Sequence, residues 1–188
     1  MECRSLLEKD KECKQCGDKD GLSLVYSLGS FDDSYQRLIY AFKYGQLLNL
    51  GKRLGSTLGE KIKEDKRFLG CDFLIPVPLH PSRKRKRGFN QSEILALAIS
   101  EKIGLPVLKD VLKRKKRTKD QTTLNAKQRE ENVRGAFSVK NEDRIVDKQI
   151  ILVDDVMTTG ATLKECARNL FEAGAKEVLG LTVAVAGE

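Results

Sequence analysis

Apolar positions along the chain fall into alternating helical and strand rhythms. Leu38, Ile39 and Phe42 share one helical face, in a segment that ends near Tyr44-Gly45. Phe73-Leu74-Ile75-Pro76-Val77-Pro78 predicts a short buried strand, ended by proline because a missing N–H cannot continue a central ladder. Ser92 is placed to cap a helix carrying Ile94, Leu95, Ala98 and Ile99, with Gly104 closing it. The clearest unit is C-terminal. Ile150-Ile151-Leu152-Val153 is an uninterrupted apolar run, as expected of a strand buried on both faces. Leu163, Cys166, Ala167, Leu170 and Phe171 follow at helical spacing, Gly174 stops that helix, and residues 178–185 supply another apolar strand. This is a βαβ crossover. Residues 113–134 are mostly polar and read as a long mobile excursion. Residues 1–24 hold three cysteines, many charges and few large apolar side chains, so they divide from a main domain over 25–188.

Composition bounds the picture without deciding it. The 188 residues include 40% hydrophobic positions, enough for one core plus a small appendage. The longest strictly apolar run, residues 94–99, is far short of the ~18 needed to span a membrane. Met1-Glu2-Cys3-Arg4 opens without an apolar signal core. Five cysteines, at 3, 13, 16, 71 and 166, do not form a disulfide framework, which leaves a reducing cytoplasm as the expected location. Lys and Arg outnumber Asp and Glu by 35 to 27, for a formal charge of +8. That excess favours a polyanionic partner, nucleic acid or a phosphorylated metabolite, over a merely solvated basic surface only if a specific site exists.

The strand-to-helix turn offers such a site. In a parallel sheet, ligands sit beyond the carboxyl ends of the strands. Asp154 and Asp155 stand at such an end, where paired carboxylates accept from a diol or help hold hydrated Mg²⁺. Met157-Thr158-Thr159-Gly160-Ala161-Thr162 then supplies successive amides, three hydroxyls and a glycine ahead of a helix, a setting that favours a phosphate dianion. Together these describe a ribose 5-phosphate site. The competing reading is an ordinary turn with threonine as N-cap. No GxxxxGK[ST] occurs, so a P-loop is excluded.

The segment from Ile151 through Asp154, Asp155, Val156, Met157, Thr158, Thr159, Gly160 and Ala161 to Thr162 resembles the phosphoribosyl pyrophosphate (PRPP) loop of type I phosphoribosyltransferases. Ile39-Tyr40-Ala41-Phe42-Lys43-Tyr44, Pro76-Val77-Pro78-Leu79-His80 and Arg87-Gly88-Phe89-Asn90-Gln91 are similar to the ComF (ComFC/GntX-like) family, as are Gln121, Leu124, Arg129, Asn132 and Gly135-Ala136-Phe137. The resemblance spans roughly residues 25–186. It implies an α/β fold, type I phosphoribosyltransferase-like, with a mainly parallel sheet flanked by helices and a short, degenerate zinc-ribbon-like N-terminus. It further implies that Asp154 and Asp155 contact the ribose hydroxyls, as the catalytic acids of any active form. Residues 157–162 would hold the 5-phosphate, Val156 would belong to the same phosphoribosyl-binding segment, and Pro78, Leu79 and His80 would form the pyrophosphate loop. Gln121, Arg129 and Asn132 would belong to the loop that closes over substrate. Mg²⁺ accompanies PRPP in such enzymes. A base-specific hood is not evident in the sequence.

Cys13-Lys14-Gln15-Cys16 is a CxxC knuckle, and Cys3 adds a third thiolate. Structural zinc takes four ligands, and Leu6 stands where the family pattern has a cysteine, so either Asp18 or Asp20 completes the set or the site has decayed. Cys71 and Cys166 read as small core residues. His80, the one histidine, is either an exposed loop residue or a ligand of the pyrophosphate loop. Two basic runs, Arg83-Lys84-Arg85-Lys86-Arg87 and Lys113-Arg114-Lys115-Lys116-Arg117, are either solvated faces or a track for a nucleic-acid backbone. The family is associated with natural competence, so single-stranded DNA and other competence proteins are the expected partners. The expected function is PRPP or ribose 5-phosphate binding in DNA uptake. The alternative is an active phosphoribosyltransferase acting on a small amine or nucleobase.

Overall fold

The computed structural model describes residues 22–45, 47–116 and 126–186. Its main sheet has four parallel strands in the order β1-β6-β5-β2: β1 (Leu22–Ser30), β2 (Phe73–Pro76), β5 (Gln149–Met157) and β6 (Glu177–Val185). A two-stranded antiparallel ladder pairs β3 (Leu112–Arg114) with β4 (Phe137–Val139). Six α-helices, α1 (Asp33–Tyr44), α2 (Leu48–Ile62), α3 (Pro81–Arg87), α4 (Gln91–Ile103), α5 (Ala126–Val133) and α6 (Ala161–Glu172), and a 3-10 turn at Glu142–Arg144 accompany them.

Strand β5 shows why the sheet must be covered on both sides. Side chains alternate along a strand, so its apolar run divides between two cores. Ile150 and Leu152 enter one core with Ile75, Leu163, Cys166 and Leu170. Ile151 and Val153 enter the other with Phe42, Leu58, Leu95 and Ile99. All four are fully buried. Removing such side chains from water is worth about 1.5–3 kcal/mol each, which fixes β5 as the sheet's interior. Helix α6 therefore covers one face, and α1, α2 and α4 the other.

The predicted crossover is present as β5–α6–β6, and Gly174, at φ 95°, follows the end of α6 as expected. Gly104, at φ 76°, closes α4. Strand β1 begins at Leu22, ahead of the composition change. Cys71 and Cys166 are buried free thiols, and burial pushes the Cys71 thiol up to about 12.

Three expectations change. Asn90, not Ser92, occupies the N-cap of α4, and the Ser92 hydroxyl is used elsewhere. Leu38 is 38% exposed, so only Ile39 and Phe42 of that helical face are buried. The polar excursion is not wholly irregular: it departs from β3, carries α5 and returns along β4. No helix of the described residues is long and apolar enough to cross a membrane.

Candidate functional site

Strands β2 and β5 lie side by side and parallel, so their carboxyl ends open onto the same edge of the sheet. The Val77 amide donates to the Val153 carbonyl at 2.9 Å and extends this pairing to the point where the chains diverge. Beyond that point β2 leads into Pro78, Leu79 and His80, all half-buried. Strand β5 runs on past its pairing with β2 and carries Asp154 and Asp155 near its carboxyl end, where it still pairs with β6. The topology thus brings the two predicted loops together at one end of the sheet.

The acids have different partners. Asp154 Oδ1 accepts from the Ser92 hydroxyl at 3.0 Å and from the Asp155 amide at 2.9 Å. Asp155 is 8% exposed, and its Oδ1 accepts from Lys43 Nζ at 2.8 Å. Desolvation, reinforced by the neighbouring Asp155 charge, pushes the Asp154 carboxyl up to about 7. Sequence reasoning gave Lys43 no role and read Ser92 only as a helix cap, although Lys43 lies in a segment that carries the family resemblance.

The turn after the acids is built to leave amides available. Gly160 is the N-cap of α6 at φ 75°, a left-handed conformation that an L side chain rarely adopts, and no side chain caps the helix there. The threonine-capped alternative is therefore absent. Thr158, Thr159 and Thr162 are half-buried, while Met157, Gly160 and Ala161 are buried. The Ala186 amide donates to the Met157 carbonyl at 2.8 Å and fixes the start of the turn to the end of β6.

Residues 88–187 match the family model of the phosphoribosyl transferase domain. The chain belongs to the phosphoribosyltransferase family. Competence protein F of Haemophilus influenzae is 32% identical over 155 residues, covering 80% of this chain and 68% of that protein. Competence protein ComFC of Bacillus subtilis is 32% identical over 152 residues, covering 79% of this chain and 58% of that protein. These relatives place the chain in the ComF group of the family, and it spans roughly three-fifths to two-thirds of their length. A solved structure of the allosteric regulatory enzyme of purine biosynthesis is 25% identical with a TM-score of 0.48, covering 70% of this chain and 25% of that one.

The remaining candidate residues of this ComF-family chain separate clearly. His80 is the N-cap of α3: its Nδ1 accepts from the Ser82 amide at 3.2 Å and lies 2.8 Å from the Ser82 hydroxyl. It therefore positions the helix that follows the Pro78-Leu79-His80 segment. Asn90 Nδ2 donates to the Val77 carbonyl at 3.0 Å and ties the start of α4 to the same loop. The first basic run is α3 itself, with Lys84, Arg85 and Lys86 exposed and Arg83 and Arg87 half-buried.

The second run does not behave as one surface. Lys115 and Lys116 are exposed, but Arg114 is only 9% exposed and lies over the Phe137 ring at 5.2 Å. Burial and the nearby Arg83 charge push the Arg114 pKa down, against the pull of Cys166 and Asp154. Arg114 is thus a buried charge within electrostatic reach of Asp154, unlike its exposed neighbours Lys115 and Lys116. The cause is strand alternation: Leu112 and Arg114 point inward while Lys113 between them does not. Arg129 is half-buried on α5, and Asn132, on the same helix, is half-buried too. Arg117 and Gln121 lie outside the described residues, as do the candidate zinc ligands Cys3, Cys13 and Cys16.

Proposed function

We propose that this ComF-family protein binds PRPP or ribose 5-phosphate with Mg²⁺ at the β5–α6 turn, and works in the cytoplasmic handling of single-stranded DNA during natural competence. One observation carries the ligand assignment. A helix whose N-cap is an uncapped left-handed glycine follows directly on a hemmed-in acidic pair. The helix amides suit a phosphate dianion, and the carboxylates suit the ribose diol. Lys43 neutralises Asp155, which lets a dianionic ligand approach two carboxylates without meeting two uncompensated charges.

The acids also fit a hard cation. Both hydrogen bonds to Asp154 fall on Oδ1, so Oδ2 is the atom available to hydrated Mg²⁺. Among the described residues no group of three or more His, Cys, Asp or Glu is assembled, so phosphate oxygens and water must complete the shell. When bound, Mg²⁺ neutralises charge on the pyrophosphate. The DNA role is supported by the relatives named for competence and by the exposed cations of α3.

A transferase reading has its own support. An acid pushed up to about 7 is matched to proton exchange near neutral pH, the requirement for general acid–base work on an amine or base. One experiment separates the two readings. The protein is incubated with PRPP, Mg²⁺ and a panel of nucleobases and amines, while PRPP retention and pyrophosphate release are followed together. Retention without release supports a binding protein; release dependent on one acceptor supports the transferase. Absence of both retention and release at millimolar PRPP would contradict the ligand assignment.

A further inference from the structure

The C-terminal half of α1 carries a feature that the phosphoribosyl site does not use. Tyr40 and Tyr44 are 66% and 62% exposed, and their rings stand 4.7 Å apart with a 43° tilt. They are two of only four tyrosines in a chain with no tryptophan. The spacing i, i+4 places both on one helical face. The opposite face of α1 is buried through Ile39 and Phe42, and Phe42 stacks against Phe89 at 5.8 Å. Nothing in the packing of the described core requires two aromatic rings on the outside.

Basic side chains border this ledge. The Arg87 guanidinium lies 5.2 Å from the centre of the Tyr44 ring, which joins the C-terminal end of α3 to the tyrosine face. Helix α3 buries none of its residues and presents Lys84, Arg85 and Lys86 to solvent. Two aromatic faces flanked by a guanidinium and a row of cations are what a single nucleic-acid strand needs. Bases stack on the rings while the backbone follows the charge. An acidic protein could also bury exposed tyrosines, but two stacked rings beside a row of cations match the base-and-backbone pattern of a single strand more fully. A duplex would match the charge but keeps its base faces covered.

We propose that Tyr40 and Tyr44, with Arg87 stacked beside them, form a base-stacking platform for single-stranded DNA, and that α3 tracks its phosphates. This rests on the DNA reading above and gives it a place on the molecule. Lys43, on the same helix, holds Asp155 of the phosphoribosyl site, so α1 joins the two sites.

The test measures binding of the full chain to labelled oligothymidylate by fluorescence anisotropy across a salt series. Tyr40→Ala/Tyr44→Ala is expected to weaken binding about ten-fold or more, with the salt slope unchanged because phosphate contacts remain. Tyr40→Trp/Tyr44→Trp restores affinity, and an abasic strand binds wild type and the double alanine variant alike. Lys84→Ala/Arg85→Ala/Lys86→Ala instead lowers the slope, by roughly 0.7 per lost phosphate contact. Both tyrosines are exposed, so the fold tolerates these changes, and PRPP affinity of the double alanine variant should match wild type. If wild type binds the strand and the double alanine variant binds it equally well, the platform is overturned while the DNA reading stands, and the tyrosine face passes to a protein partner. If wild type binds no single strand even at low salt, the DNA reading itself fails and the platform with it.

Discussion

Asp154 shows how a residue suited to a ligand is held at a cost to the empty protein. Its carboxyl is pushed up from 3.8 to about 7, so the folded chain keeps a proton that the unfolded chain has released. Between about pH 4 and pH 7 the native state therefore binds more protons, and stability falls as pH rises through this window. Asp154→Asn removes that loss. Urea unfolding should find the variant close to wild type near pH 4 and more stable above pH 7, by up to about 4 kcal/mol. An equal difference at both pH values would contradict the assignment of the shift to this carboxyl. Gly160 makes a second residue-scale case. A Cβ there would meet nothing nearer than Met157 Sδ at 3.7 Å, so the constraint is the backbone at φ 75° rather than crowding by the protein. Gly160→Val should cost about 1–2 kcal/mol in thermal unfolding. It should also abolish detectable PRPP binding, because the branched side chain occupies the space before the helix amides.

Helices α2 and α4 set the position of Ser92, and they pack through glycine. A Cβ at Gly55 would stand 2.7 Å from the Leu95 carbonyl oxygen and 2.8 Å from Ala98 Cβ, so backbone rather than a flexible side chain must give way. Gly55→Ala is expected to destabilise the protein by about 2 kcal/mol and to weaken PRPP binding beyond what lost stability explains, since α4 carries the hydroxyl bonded to Asp154. Denaturant midpoints together with calorimetric affinity check both effects. The sequence made some elements legible and others not, for definite reasons. The run at residues 150–153 announced β5 because a strand buried on both faces has no polar alternation to confuse with a helix. Gly104 and Gly174 marked helix ends because a left-handed backbone selects glycine. Ser92 and Lys43 were hidden because their partners lie 62 and 112 residues away, and neither spacing follows from a local rule. The burial of Arg114 was not legible because a run of like charges hides the alternation of the short strand beneath it.

At the scale of the whole molecule, both loops of the site, the acids and the α6 N-terminus meet only when β2 and β5 pair. Ligand binding is therefore coupled to global folding. PRPP with Mg²⁺, at about one hundred times its Kd, should stabilise the native state by ~2.7 kcal/mol and raise Tm by roughly 5–10 °C. Thermal unfolding with and without PRPP measures this, and Mg²⁺ alone should give much the smaller shift. The assignment of the β5–α6 turn as the phosphoribosyl site is tested most directly by calorimetric titration of PRPP in Mg²⁺ into wild type and Asp154→Asn/Asp155→Asn. The double substitution keeps side-chain volume and weakens the pair toward both diol and cation. The account predicts binding by wild type and a loss of at least about ten-fold in the variant, in line with one lost charge-assisted contact or more. A folded double variant that binds PRPP as tightly as wild type would contradict it.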